Sequence, residues 1–240
     1  MSPNLPPIAV LAGGMATRLR PITTTIPKAL VDVAGEPFIA HQLRRLKSEG
    51  LHKVVLCLGH QGVQVEEYVG NGSAFGLQVS YSYDGETLLG TGGALFRALP
   101  QLGKIFYVTY GDTLLDVSYA GVYNRLQAHP EALGTITVLR NDNQWDTSNM
   151  EFDGTHILAY EKKAPTARMH HIDYGLSLLR SEVLSGYHTG QKFDLGEVFT
   201  SLIGAGKVLG YEVTKRFYEI GTPESLQETA RYLREQKSAN

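Results

Sequence analysis

Close to the N-terminus a short apolar run, Ile8-Ala9-Val10-Leu11-Ala12, stops abruptly at Gly13-Gly14. A run without alternation has no polar face to offer water, so it suits a strand covered on both sides, and the prolines before it cannot join a helix. Such a strand needs a layer above and a layer below. The segments that follow can supply both. From Pro37 to Glu49 the apolar residues Ile39, Leu43 and Leu46 recur at helical spacing, and Gly50 gives the usual stop. Val54 to Leu58 reads as a second buried strand. It is followed by a helix around Val63 to Val69, a more exposed strand from Leu77 to Tyr83, a helix from Gly92 to Leu99, and a strand from Ile105 to Tyr110 that ends in Gly111-Asp112. Strands alternating with helices predict βαβ units, whose right-handed crossovers build a parallel sheet with helices on both faces.

Beyond Leu126 the pattern becomes strand-rich. Thr135 to Arg140, Asn149 to Phe152, Ile157 to Tyr160, Ile172 to Leu179, Val208 to Val213 and Phe217 to Ile220 are short strand candidates, with one helix near Leu195 to Ile203. Asp153-Gly154 is a tight-hairpin dipeptide joining two of them. Thr222 as N-cap, Pro223 at the first helical position and the apolar series Leu226, Ala230 and Leu233 predict a closing helix, frayed over the last few residues.

With 42% hydrophobic and 19% charged residues among 240, the chain has enough apolar material for a real core. Its 22 Lys+Arg against 24 Asp+Glu leave a net charge of -2, which provides no electrostatic footprint for nucleic acid or a membrane surface, so small-molecule partners are expected. No apolar stretch reaches the roughly 18 residues of a membrane span. Met1-Ser2-Pro3-Asn4-Leu5-Pro6-Pro7 lacks the charged and hydrophobic regions of a signal peptide, and none is expected. Cys57, the single cysteine, sits in an apolar strand and reads as a buried thiol in a reducing compartment, which points to the cytoplasm. His170-His171 point to opposite faces of a strand and have no third ligand at suitable spacing, so no zinc site is expected.

The chemistry concentrates in Leu11-Ala12-Gly13-Gly14-Met15-Ala16-Thr17-Arg18-Leu19-Arg20-Pro21 and the later Pro27-Lys28. Two glycines after a buried strand let backbone N–H groups approach a phosphate, and Arg18 and Lys28 add positive charge. The run is an anion cradle, yet it has neither the Gly-Lys-Ser/Thr of a Walker A motif nor the three-glycine spacing of a dinucleotide fold.

This run resembles the signature of the sugar-1-phosphate nucleotidyltransferases, the family of nucleoside-diphospho-sugar pyrophosphorylases: a Gly-Gly turn, Thr-Arg-Leu, then Pro and a later Pro-Lys. Ala16 stands where the family usually has glycine. The resemblance implies an α/β fold, a Rossmann-like three-layer α/β/α sandwich with a mostly parallel mixed sheet in a single domain spanning 1–240. Its nucleotide-binding part would cover about 8–126, its sugar-phosphate-binding part about 127–222 and its C-terminal helix 223–236. Leu11, Ala12, Gly13, Gly14, Thr17 and Arg18 would hold the nucleotide. Gly90 and Thr91 would join them from Leu89-Gly90-Thr91-Gly92-Gly93-Ala94-Leu95, which looks like the family's second glycine-rich element.

Asp112 ends a predicted parallel strand, where ligands of open α/β sheets bind, and the family uses the Asp of this Gly-Asp pair for Mg²⁺. The second carboxylate would be Glu219, in Phe217-Tyr218-Glu219-Ile220-Gly221-Thr222-Pro223, where the family normally has Asp; one methylene longer, it would bind through water or shift the metal. Glu161-Lys162 resembles the family's Glu-Lys-Pro, with Lys163 replacing Pro, and Asp173-Tyr174-Gly175 aligns with a segment that lies against the sugar. Trp145-Asp146-Thr147-Ser148-Asn149 falls where relatives touch sugar hydroxyls. The resemblance thus assigns Lys28, Asn149, Glu161, Lys162 and Asp173 to the sugar phosphate, Asp112 and Glu219 to the metal, and catalysis to Arg18, Lys28, Asp112 and Lys162.

The implied reaction is attack by a sugar-1-phosphate oxygen on the α-phosphorus of an NTP, with pyrophosphate leaving. Single-domain heptose-1-phosphate guanylyltransferases and N-acetylmuramate-1-phosphate uridylyltransferases resemble the chain most, and GTP with a heptose- or hexose-1-phosphate is the expectation. Uridylyl, thymidylyl or cytidylyl transfer to another sugar or small phosphate is the alternative, and a non-catalytic nucleotide-sugar sensor the second. A monomer and a homodimer both remain open.

Overall fold

A computed structural model describes residues 5–239; Met1 to Asn4, part of the segment in which no signal peptide is expected, and Asn240 lie outside. In chain order the elements are β1 Ile8–Leu11, β2 Asp32–Val33, β3 Glu36–Pro37, α1 Phe38–Ser48, β4 Lys53–Leu58, α2 Gly62–Val69, β5 Gln78–Tyr83, α3 Gly90–Leu102, β6 Ile105–Tyr110, β7 Thr113–Leu114 and α4 Tyr119–Gln127. They continue with β8 Gly134–Arg140, β9 Met150–Phe152, β10 Ile157–Tyr160, β11 His171–Arg180, α5 Leu195–Gly204, β12 Val208–Val213, β13 Tyr218–Glu219 and α6 Pro223–Ala239.

The expected parallel half is present: β5, β4, β1 and β6 lie side by side, with Ile8 paired to Val54 on one side and Tyr107 on the other. Next to them β11 runs antiparallel to β6, with Leu176 opposite Thr109, and β8 and β12 complete that side. The β9–β10 hairpin closes at Asp153-Gly154 and joins β11 where Met150 meets His171. The result is a nine-stranded mixed sheet, mostly parallel across its N-terminal half, of the Rossmann-like kind.

Strand alternation explains the layers. Ile8 and Val10 of β1 and Val54, Leu56 and Leu58 of β4 pack on one face with Leu43 of α1, Val65 of α2 and Val122 of α4. Ala9, Val55 and Cys57 point to the other face, where Leu95 of α3 and Val198 of α5 cover them. The α6 helix packs Ala230 and Leu233 on Ile220, Leu114, Phe38 and Val33. Thr222 caps it, its Oγ1 accepting the Ser225 N–H at 3.2 Å. No helix among the described residues is long and apolar enough to cross a membrane.

Several features differ from the sequence expectation. The segment after Gly14, for which no element was expected, winds into short 3-10 turns at Thr17–Leu19, Ile22–Thr24 and Lys28–Leu30. The α4 helix was not foreseen; Ser118 caps it by accepting the Gly121 N–H at 3.1 Å, and it buries Tyr119, Val122 and Leu126. The α3 helix begins at Gly90 and continues through Pro100 to Leu102, a residue buried against the sheet, so packing overrides the proline stop.

Candidate active site

A cleft of about 390 Å³ opens beyond the C-terminal ends of β1, β4 and β6. Leu11, Ala12, Gly13, Gly14, Thr17, Arg18, Gly90 and Thr91, the residues expected to hold the nucleotide, all line it, as do Lys28 and Asp112. The strand ends converge tightly here. The Ala12 N–H donates to Cys57 O at 2.9 Å and the Gly111 N–H to Leu11 O at 2.9 Å, so the cradle starts from backbone fixed on both sides. A Cβ on Gly111 would lie 2.6 Å from Ala12 Cβ, so close packing requires that glycine, and one on Gly13 would lie 3.1 Å from Gly59 N, a tight contact with backbone. Gly14 differs: nothing lies within 4 Å of its Cβ position, and its backbone is uncovered. Ala16 adopts a left-handed conformation, φ 47°, which glycine takes without strain and which explains why glycine suits this position. Its carbonyl accepts bonds from Thr23 Oγ1 at 2.8 Å and the Leu19 N–H at 3.2 Å, which hold the turn.

Two residues far apart in sequence meet at the cleft. Lys28 Nζ donates to Asp112 Oδ2 at 2.7 Å, and Thr113 Oγ1 donates to Asp112 Oδ1 at 3.0 Å. The Lys28 side chain is only 15% exposed and that of Asp112 33%, so the pair is partly desolvated. Glu219 sits on the neighbouring row: it pairs with Thr113 across β13 and β7, and the next N–H, of Ile220, donates to Asp112 O at 3.0 Å. Its carboxylate folds back to accept the Gly221 N–H at 3.0 Å, over a position where a Cβ would collide with it.

The other residues expected at the sugar phosphate lie on the adjoining sheet end. The Asn149 N–H donates to His171 O and the Glu161 N–H to Asn149 O, each at 2.9 Å, while Lys162 Nζ stands 5.4 Å above the Tyr160 ring. Glu161 is exposed and accepts the Lys163 N–H at 2.7 Å, a local turn bond. Asp173 Oδ1 accepts the Gly175 N–H at 2.9 Å; burial pushes its carboxyl above the usual range, with that bond and the Lys162 charge opposing. Of the residues assigned to the sugar phosphate, Lys28 lines the cleft, whereas Asn149, Glu161, Lys162 and Asp173 do not.

Three further residues escaped sequence reasoning. Asp84 directly follows β5, lines the cleft, is buried and accepts the Leu89 N–H at 3.2 Å; burial pushes its pKa up. Its place after a parallel strand, like that of Asp112, was the available signal. Asp194 caps α5 and accepts a bond from Thr91 Oγ1 at 3.2 Å. Tyr110, the last residue of β6, lines the cleft, and burial drives its hydroxyl pKa well up. Conversely, Gly92 and Gly93 are not in the cleft wall; they pack against Phe193 and Gln191, where side chains would collide.

Cys57 also borders the cleft, and burial pushes its thiol up to about 12. At pH 8 such a thiol is ionised to about one part in 10⁴. The folded protein is therefore expected to resist Ellman's reagent and to react only after unfolding in guanidinium; equal rates in both states would put the thiol at the surface.

Comparison with known proteins places this geometry. The nucleotidyl transferase family profile matches residues 8–236, and the chain belongs to that family. It is 30% identical over 231 residues to the N-acetylmuramate alpha-1-phosphate uridylyltransferase of Neisseria meningitidis, covering 91% of this chain and 94% of the relative. With the D-glycero-alpha-D-manno-heptose 1-phosphate guanylyltransferase of Campylobacter jejuni it shares 26% identity over 216 residues, 90% of this chain and 94% of the relative. With the UTP–glucose-1-phosphate uridylyltransferase of Synechocystis it shares 28% over 214 residues, 82% of this chain and only 55% of that longer protein. Among solved structures, HddC of Yersinia pseudotuberculosis complexed with GMP-PN superposes with a TM-score of 0.79 at 22% identity, over 95% of this chain and 100% of that one.

Proposed function

We propose that the chain is a Mg²⁺-dependent sugar-1-phosphate nucleotidyltransferase, acting on GTP and a heptose- or hexose-1-phosphate in a reducing, cytoplasmic setting. The observation that carries this reading is the partly desolvated Lys28–Asp112 pair, 2.7 Å apart, in a cleft that the open Gly14 backbone also lines. A cation, a carboxylate and free backbone N–H groups within one cleft fit a polyphosphate and its transfer better than they fit a neutral ligand. The named relatives, uridylyl- and guanylyltransferases of sugar 1-phosphates, support the same chemistry.

In this mechanism the 8–126 part seats the triphosphate, with the Gly13-Gly14 backbone against its oxygens and Arg18 neutralising its tail. Lys28 and Lys162 draw the sugar phosphate into line, the latter from the 127–222 part. An oxygen of that phosphate attacks the α-phosphorus, a new P–O bond forms, and the bond to pyrophosphate breaks with its electrons leaving on pyrophosphate. Positioning and charge neutralisation supply the rate, with no covalent enzyme intermediate. Asp112 and Glu219 are the carboxylates that would hold Mg²⁺, and carboxylate oxygens are the donors that this cation takes. When bound it supplies neutralisation at the α-phosphate.

The test is pyrophosphate release across nucleoside triphosphates and sugar 1-phosphates, with Mg²⁺ and with EDTA. Turnover is expected for guanosine triphosphate with a hexose or heptose phosphate, and EDTA is expected to remove it. Nucleotide binding without turnover in any combination would overturn the catalytic reading in favour of a nucleotide-sugar sensor.

A further inference from the structure

The α6 helix reaches all three segments that bring Lys28, Asp112 and Glu219 to the site. Its Ala230 and Leu233 pack with Val33, Leu114 and Ile220, which follow Lys28, Asp112 and Glu219 in the chain. Near its end Lys237 Nζ donates to Ala34 O at 3.2 Å, in the turn between β2 and β3. No described residue of α6 lines the nucleotide cleft, so the helix can act on the site only through these segments.

Its hold is closest on β13, the strand that carries Glu219. The Ile220 N–H bonds inward to Asp112 O, and Glu219 stands opposite Thr113. Residues of an antiparallel ladder bond inward alternately, so the main-chain groups of Glu219 face away from β7. The outward carbonyl meets α6: Thr229 Oγ1 donates to Glu219 O at 2.6 Å, and Thr229 is only 1% exposed. A helical threonine commonly bonds back to a carbonyl of its own helix; this one crosses to another element instead. Two further contacts flank that bond. Glu228 accepts bonds from the Arg216 guanidinium at 2.8 and 3.0 Å, and the Tyr232 and Tyr218 rings stack 3.8 Å apart. Arg216 in turn lies 4.8 Å over the Tyr218 ring. Two strands of two residues each have little of their own to fix them, so the place of β13 depends on what α6 supplies.

Resting on the reading above that Glu219 holds Mg²⁺, we propose that Thr229 is a positioning residue for the transfer reaction: through Glu219 O it fixes β13 on β7, and so sets where the Glu219 carboxylate stands relative to Asp112. Valine at 229 keeps the shape of the side chain and loses the donor, whereas serine keeps the donor.

The experiment measures three quantities on the full chain: hydrogen exchange of the Ile220 amide in the free protein, kcat, and the Mg²⁺ concentration that gives half the maximal rate. In Thr229→Val the exchange is expected to quicken about tenfold, the scale of one lost hydrogen bond. By the same measure kcat should fall and the half-saturating Mg²⁺ rise, each about tenfold, while KM for the nucleotide holds because α6 does not reach the cleft. Thr229→Ser should restore all three. A valine variant with wild-type kcat and Mg²⁺ dependence overturns the proposal, even if its Tm is lower, since the hydroxyl is then only structural. A serine variant no better than valine overturns it too. Should the valine variant not fold, Thr229→Cys, of similar size and with a weak donor, carries the same measurements. Glu219→Gln is run alongside. If it leaves the Mg²⁺ dependence unchanged, or if no turnover is found at all, the metal or transferase reading fails; the Ile220 exchange then decides alone whether Thr229 holds the strand, and an unchanged rate would end the proposal.

Discussion

Asp112→Asn is expected to lower kcat by about a thousandfold or more, the loss that follows when one charged group stops stabilising a developing transition-state charge. Stability should barely register the change. Asn keeps an oxygen for Lys28 Nζ and another polar atom for Thr113 Oγ1, the two partners Asp112 has. Only the charge disappears, and with the Asp112 side chain 33% exposed the attraction is partly screened. Its loss costs about 1 kcal/mol, or about 2–4 °C in Tm for a chain of this size. Pyrophosphate release at saturating Mg²⁺ and a thermal scan of the same preparation separate the two effects. An unchanged kcat would remove Asp112 from the site, while an unfolded variant would make the pair structural. Glu219→Gln should cost less, because its carboxylate is already engaged with the Gly221 N–H.

What the sequence displayed of this arrangement depended on how local the cause was. The strands Ile105–Tyr110, Ile157–Tyr160 and Val208–Val213 match their expected limits because each is an apolar or β-branched run bounded by turn residues. The signs of α4 were present but brief: Tyr119, Val122 and Leu126 share one face after a capping Ser118. The two-residue strands β2, β3 and β7 are too short to show periodicity; β13 lies within the expected Phe217 to Ile220 strand, and its pairing with β7 is what sets Glu219 beside Asp112. The cradle from Leu11 to Arg18 was legible because its residues are contiguous. The Lys28–Asp112 ion pair and the Thr91–Asp194 bond join residues brought together only by the completed sheet, and no linear pattern announces them. Ala16 shows the limit in small: its identity was plain, but its positive φ is a property of the turn.

The glycines of the second element are the place where ligand approach and packing can be told apart, through Gly90→Ala. Gly90 has φ 74°, and a Cβ there would stand 2.5 Å from Phe193 O and 3.2 Å from its carbonyl carbon, atoms of the backbone that cannot rotate away. That backbone is fixed on both sides of Gly90: the Phe193 N–H donates to Leu89 O, and the Gly92 N–H to Phe193 O, each at 3.1 Å. Relief of the clash must part these two bonds, at about 1 kcal/mol each, and alanine adds about 1–2 kcal/mol for the left-handed conformation. A loss of about 3–4 kcal/mol should lower Tm by about 6–16 °C. The damage should also reach the cleft, because Asp194 and Leu195 follow Phe193 and both bond to Thr91 Oγ1. An increase in KM for the nucleotide is therefore expected alongside the lower Tm. Gly14→Ala is the counterpart: its Cβ meets open space, so Tm should hold while KM rises if the uncovered backbone receives phosphate. If instead Gly90→Ala kept its Tm and only KM rose, the second glycine element would serve the ligand and not the packing of the Phe193 loop.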